Sequence, residues 1–150
     1  MTERPRLFIE ESFPTVDFGI ESVRERAAAS ALPPIYFLHV WWARRPLVAS
    51  AGAILGSLLP AWSTELSQEF SDHPELATPR AYRKWLLTLC GILGDSVEAD
   101  RLMRAAKASG NRIPNQYTYK QAHKNRPPPE QVVLLHNVLE HTWGRLPSVS

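Results

Sequence analysis

The chain holds a single cysteine, Cys90, among 150 residues. That scarcity excludes a disulfide framework and a cysteine-built zinc site within it. Cys90 stands in the apolar run 85–93 and reads as a small core residue in a reducing compartment. No apolar run approaches the roughly 20 residues of a membrane span. The opening Met1-Thr2-Glu3-Arg4-Pro5-Arg6 lacks the basic-then-apolar plan of a secretory signal. These absences point to the cytoplasm and away from a membrane. Glycine is sparse too: 7 residues, scattered, with no Gly-x-Gly spacing to cradle a phosphate or cofactor. There is no internal repeat, and only the triple proline 127–129 approaches low complexity.

Charge is uneven along the chain. Residues 1–75 carry 6 Lys/Arg against 10 Asp/Glu, whereas residues 76–150 carry 11 against 5. Within 80–126 there are 10 basic residues and 3 acidic ones, Asp95, Glu98 and Asp100. A basic half of this kind suits phosphate contacts, and equally a solvated helical surface whose counter-charges lie elsewhere.

The densest chemistry sits in Leu38-His39-Val40-Trp41-Trp42-Ala43-Arg44-Arg45-Pro46-Leu47. Paired indoles beside two guanidinium groups make a platform for a planar or anionic ligand. Pro46, at the first position of an apolar helix, leaves the next N–H groups free and anion-friendly. The alternative is a buried Trp pair with capping arginines.

Helix punctuation dominates elsewhere. Asp17 is expected to cap a helix through Ile20, Val23 and Ala27, ended by Leu32-Pro33-Pro34. The run 35–41 is a short β-prone stretch. A helix from Pro46 to Leu59 presents Ala49, Gly52, Ala53 and Gly56 for close approach. Residues 61–77 read as a linker or one loose helix over 64–70. Thr78-Pro79 opens an apolar helix that Gly94 stops. Asp95-Ser96-Val97-Glu98 is a capping-box pattern for a helix that Gly110 ends, with Leu102, Met103, Ala105 and Ala106 as its buried stripe. A last helix runs from Pro129 through Val132, Leu135, Leu139 and Trp143 to Gly144. The expected fold is mainly α, with five or six helices and a short strand near 35–41. Three segments result: 1–60 with the Trp–Arg motif, 61–77, and 78–150. The ending 145–150 reads like the approach to a strand, as if the chain stopped short of a sheet.

Residues Ile9-Glu10, Phe13-Pro14, 22–25 and 38–47 resemble the N-terminal domain, catalogued as of unknown function, of large adenine-specific DNA methylases. Some members of that family are associated with anti-phage defence. Residues 82–87, 113–120 and 141–147 are similar to the segment C-terminal to that domain in the same methylases. The resemblance implies the N-terminal part of an α/β methyltransferase whose sheet is not in this chain. In the family, Gly144-Arg145-Leu146-Pro147 would lead into the first strand and then a glycine-rich loop holding S-adenosylmethionine. The chain contains neither that loop nor an Asp/Asn-Pro-Pro-Tyr/Phe segment, so it is not expected to be catalytic or to hold the cofactor alone.

The resemblance also assigns His39, Trp41, Trp42, Arg44, Arg45 and Pro46 to the wall of the cofactor pocket of the full-length enzyme. Their chemistry suits the cofactor's carboxylate and adenine, or a flipped base; docking against the sheet is the alternative. Tyr117, Tyr119, Lys120, Lys124 and Arg126 combine cations with aromatic rings as backbone-tracking DNA contacts do, or as a solvated loop packing its tyrosines. His136 and His141 miss the i, i+4 spacing of a helical metal pair, so no metal is expected. The expected partners are DNA and the methyltransferase core of the same polypeptide. The competing function is a non-catalytic helical interaction module docking on partner defence proteins.

Overall fold

A computed structural model describes residues 4–27, 47–111 and 126–144. The described residues form a mainly helical fold with no sheet, as the punctuation predicts; their one β feature is an isolated bridge between Leu7 and Pro60. In chain order the helices are α1 (Phe8–Glu11), α2 (Thr15–Ala27), α3 (Leu47–Leu58), α4 (Thr64–Glu69), α5 (Pro79–Leu89), α6 (Ser96–Ala108) and α7 (Pro129–Trp143). A 3-10 turn, Pro74–Leu76, lies between α4 and α5. The strand expected near 35–41 falls outside the described residues. The chain divides into two compact units, each assembled from segments far apart in sequence.

The first unit takes in the described parts of 1–13, 52–90 and 126–150. Its core is apolar and aromatic: Phe8, Leu59, Leu76, Tyr82, Leu86 and Val138 are fully buried and Trp85 nearly so. Phe8 meets Tyr82 edge-on at 5.2 Å, and Tyr82 stacks on Trp85 at 5.6 Å. The Tyr82 hydroxyl donates to the Pro60 carbonyl at 3.0 Å, so the one polar atom of that ring is satisfied. Backbone bonds from Phe8 N–H to Leu59 O and from Ala61 N–H to Arg6 O stitch α1 to the end of α3. Gly52 and Gly56 are buried as the small-residue face requires, and a Cβ on Gly56 would stand 3.0 Å from the Phe13 ring. Ala53 is exposed and lies off that face. Ser63 caps α4 and Thr78 caps α5, each hydroxyl accepting a backbone N–H at 3.1 Å.

Helix α5 ends earlier than its apolar run suggests. Cys90 is its C-terminal cap, and Gly91 at φ 78° takes the left-handed turn expected of Gly94. The buried stripe of α7 is Leu134, Val138 and Leu139, rotated from the expected one: Val132 is exposed and Trp143 is 43% exposed. Trp143 instead donates its indole N–H to the Leu58 carbonyl at 2.7 Å, spending it on an orphan acceptor at the end of α3.

The second unit takes in the described parts of 14–51 and 91–125. Here α2 faces inward with Phe18, Glu21 and Glu25, while Val23 is 68% exposed. Helix α2 begins at Thr15, so Asp17 sits inside its first turn and is not its cap. The Asp17 carboxylate instead accepts from the Ser96 hydroxyl at 2.6 Å, tying α2 to the start of α6. Asp95 caps α6 as expected, accepting Glu98 N–H at 2.9 Å. The far end of α6 closes with Gly110 at φ 69°, Gly110 N–H on Lys107 O and Asn111 N–H on Ala106 O, the Schellman arrangement. The stripe expected on α6 is only half-buried at Leu102, Met103 and Ala106, and Ala105 is exposed.

Candidate functional site

Glu25 meets the head of α3. Its Oε1 accepts Leu47 N–H at 2.9 Å and its Oε2 accepts Val48 N–H at 3.2 Å. The residue is 4% exposed, so this is a buried carboxylate whose charge is held by two helix N–H groups and the positive end of the helix dipole. From the sequence these N–H groups look open to an external anion; the chain supplies its own. Glu25 stands 22 residues before Leu47, so no local capping pattern reveals the pairing. The contact ties the helix preceding the Trp–Arg motif to the helix after it. The motif residues themselves, His39, Trp41, Trp42, Arg44, Arg45 and Pro46, lie outside the described residues.

One turn earlier, Glu21 pairs with Arg24, their side chains 8% and 14% exposed. Burial pushes the Glu21 carboxyl above the ordinary glutamate range, Arg24 pulls it back down, and nearby Asp17 adds a small upward push. The inner face of α2 thus carries two glutamates, one charge-paired and one capping.

The basic half is partly neutralised where it is described. On α6, Glu98 receives a two-pronged contact from Arg101 at 2.6 and 2.7 Å, and Arg104 donates to Asp100 at 2.7 Å. Two of the three acids in the basic stretch thus bind arginines and the third caps the helix. Such exposed pairs contribute about 0–1 kcal/mol each, so they lower the net field of α6 without locking its arginines. Of the candidate DNA contacts, Arg126 is described: it is exposed and stands ahead of α7. Tyr117, Tyr119, Lys120 and Lys124 lie outside the described residues.

Cys90 is half-buried, and burial pushes its thiol up to about 12, which removes it as a thiolate nucleophile. His141 sits in the last turn of α7 with its ring edge-on to Phe70 at 5.7 Å. Among the described residues no three His, Cys, Asp or Glu side chains gather as a metal-ligand set.

No curated protein and no solved structure matches the chain. A family model does: it spans residues 12–86, from ahead of α2 through Glu25, the Trp–Arg motif and α3 into α5. The chain belongs to the family described as protein of unknown function (DUF1156).

Proposed function

We propose that this chain works within an S-adenosylmethionine-dependent DNA adenine methyltransferase of restriction-modification or anti-phage type, as a non-catalytic part ahead of the catalytic sheet. The cofactor would supply the methyl group. The carrying observation is the Trp–Arg motif, bracketed by two helices that Glu25 ties together. A ligand carboxylate does not fit the N–H groups of Leu47 and Val48, because Glu25 fills them and would repel a second anion. Anion recognition therefore falls to the Arg44 and Arg45 guanidinium groups, with Trp41 and Trp42 offering planar faces and His39 a further donor. The basic residues Lys120, Lys124 and Arg126, with Tyr117 and Tyr119, would track the DNA backbone.

Calorimetry of the full-length protein with S-adenosylmethionine tests this. Arg45→Ala is expected to weaken binding by about 1–3 kcal/mol, the cost of a lost charge-assisted hydrogen bond. Unchanged affinity would remove the pocket role. DNA affinity should fall with salt, its logarithmic slope shrinking by about 0.9 per phosphate contact when Lys120, Lys124 and Arg126 become alanine. The second reading, a helical interaction module, draws on a different observation. Ile54 is 61% exposed, Leu58 42% and Trp143 43%, and the Trp143–Leu58 hydrogen bond places the latter two side by side. Absence of both cofactor and DNA binding would favour it.

A further inference from the structure

Helix α5 carries its charge against its own dipole. Arg80, Arg83 and Lys84 fall in its first two turns, and its last turn has no cation. Residues 76–94 contain no Asp or Glu at all. Cations are favoured near the negative, C-terminal end of a helix, whereas Arg80 stands in the first turn, at the positive end. Arg80 and Lys84 are also a like-charge pair at i, i+4, a second cost to the helix. Helix α6 shows the ordinary arrangement, with Arg101 and Arg104 paired to Glu98 and Asp100. On α5 all three cationic side chains are exposed, and among the described residues Arg80 and Lys84 form no ion pair. Glu75 lines a groove together with Lys84 without pairing to it. Arg83 already has an interaction partner, which leaves Arg80 and Lys84 as the open charges.

An external anion would offset both costs, and the rest of α5 narrows its class. Tyr82, Trp85, Leu86 and Leu87 are all buried. The outer face therefore offers no apolar anchor for a lipid bilayer, no aromatic hot spot for a protein and no ring for an unstacked base. What remains is two cations on one helical row, about 5–6 Å apart at Cβ, which suits the closely spaced charges of a duplex backbone. Arg126, exposed ahead of α7, belongs to the same unit, and Gln131 of α7 lines the groove beside Lys84. We propose that the outer face of α5 contacts duplex DNA, with Arg80 and Lys84 each neutralising a backbone phosphate. Such a contact rests on the DNA binding of the proposed function and extends it beyond the segment that ends at Arg126.

Fluorescence anisotropy of the full-length protein with a labelled mixed-sequence duplex, over a salt series, tests this. Changing Arg80→Gln and Lys84→Gln together is expected to lower the slope of log affinity against log salt by about 0.9 per contact, about 2 in all. Arg101→Gln with Arg104→Gln removes the same net charge from α6 and should leave the slope unchanged, since Glu98 and Asp100 already offset those arginines. The α5 variant should melt no lower than the wild type, because it relieves a like-charge pair. A marked drop in melting temperature would mean that the cations hold the fold, and overturns the proposal. An equal fall in slope for both variants overturns it too, as a general field effect. If the wild type binds and the α5 variant keeps its slope, the α5 contact alone falls. If the wild type shows no salt-dependent affinity, the DNA binding of the proposed function falls with it. Poly-L-glutamate or single-stranded DNA bound more tightly than the duplex, and weakened in the α5 variant, gives the face to another partner and overturns the proposal equally.

Discussion

The two units bury different chemistry. Among the described residues, the first closes over Phe8, Leu59, Leu76, Tyr82, Trp85, Leu86 and Val138 and buries no carboxylate, whereas Glu21, Glu25 and Ser96 are all buried in the second. One core rests on area removed from water; the other adds to its buried Phe18, Ile92 and Ala99 charges that must keep their partners. Apolar burial is tolerant of pH and salt and sensitive to lost volume. A buried carboxylate is tolerant of small volume changes and sensitive to anything that removes its donors. The unit flanking the Trp–Arg motif is the one that buries charge, and the link between α2 and the head of α3, on either side of the motif, depends on the single residue Glu25.

The largest expected effect tests the apolar side of this contrast. Phe8→Ala should cost about 3–5 kcal/mol, because a fully buried ring leaves a cavity and takes its edge contact with Tyr82 with it. Hydrogen exchange should show protection lost across α1, α5 and α7. An equal loss in α6 would break the division into two energetic units.

Glu25→Ala comes next and tests the charged side. It leaves two helix N–H groups without their acceptor and is expected to cost about 1–3 kcal/mol. Glu25→Gln keeps one acceptor and should cost less. Amide exchange at Leu47 and Val48 should quicken in the alanine variant, more than at any residue of α5. Unaltered exchange there would mean another group caps α3.

A pair of glycines sharpens the comparison at smaller scale. Gly19 lies in α2 with nothing within 4 Å of a built Cβ, so Gly19→Ala should stabilise by about 0.5–1 kcal/mol through helix propensity. Gly56→Ala gains the same propensity but meets Phe13 ring carbons at 3.0 and 3.1 Å and Ile9 Cβ at 3.4 Å. The ring must give way, and the variant is expected to be neutral or destabilised by up to about 1 kcal/mol. Thermal melts of the two variants should move in opposite directions or, at the least, differ in the stated order.

How far the sequence reveals this molecule depends on the reach of each interaction. Caps are local: Ser63, Thr78 and Asp95 accept N–H groups three residues away, and such patterns are legible from spacing alone. The stop at Gly91 is harder to read, since Gly94 offers the same left-handed freedom and the apolar run passes through both. Inner faces mislead wherever polarity is equated with exposure. On α2 the apolar Val23 points outward while Glu21 and Glu25 are buried, because each carboxylate finds a donor: Arg24 one turn on, or the head of α3. That last partner is 22 residues distant, and no periodicity encodes it. For the candidate site, the residue types of the Trp–Arg motif are legible in the sequence, whereas the anchoring of its flanks by Glu25 emerges only from three-dimensional contacts.

The smallest effect is a difference in the sign of two pH dependences. In the first unit, Glu10 is held below the ordinary glutamate range, chiefly by the Leu7 N–H at 2.8 Å, with Arg4 adding to it against a desolvation cost. A depressed carboxyl contributes stability above its unfolded pKa and loses it as pH falls through the folded one. In the second unit, burial raises Glu21, with Arg24 opposing. A raised carboxyl contributes fully below its unfolded pKa, and the contribution is lost as pH climbs through the folded value. From the acid side toward neutrality, α1 amides should thus gain protection from Glu10 while α2 amides lose some from Glu21. Glu10→Gln should flatten the first trend alone, and Glu21→Gln the second alone. Salt screens the exposed Arg4 share of the Glu10 trend, which should weaken at high ionic strength toward what the Leu7 N–H supplies, while that of the buried Glu21 persists. If both trends carry the same sign, or both vanish in salt, then Glu21 is solvated like any surface carboxylate and the second core is not built on buried charge.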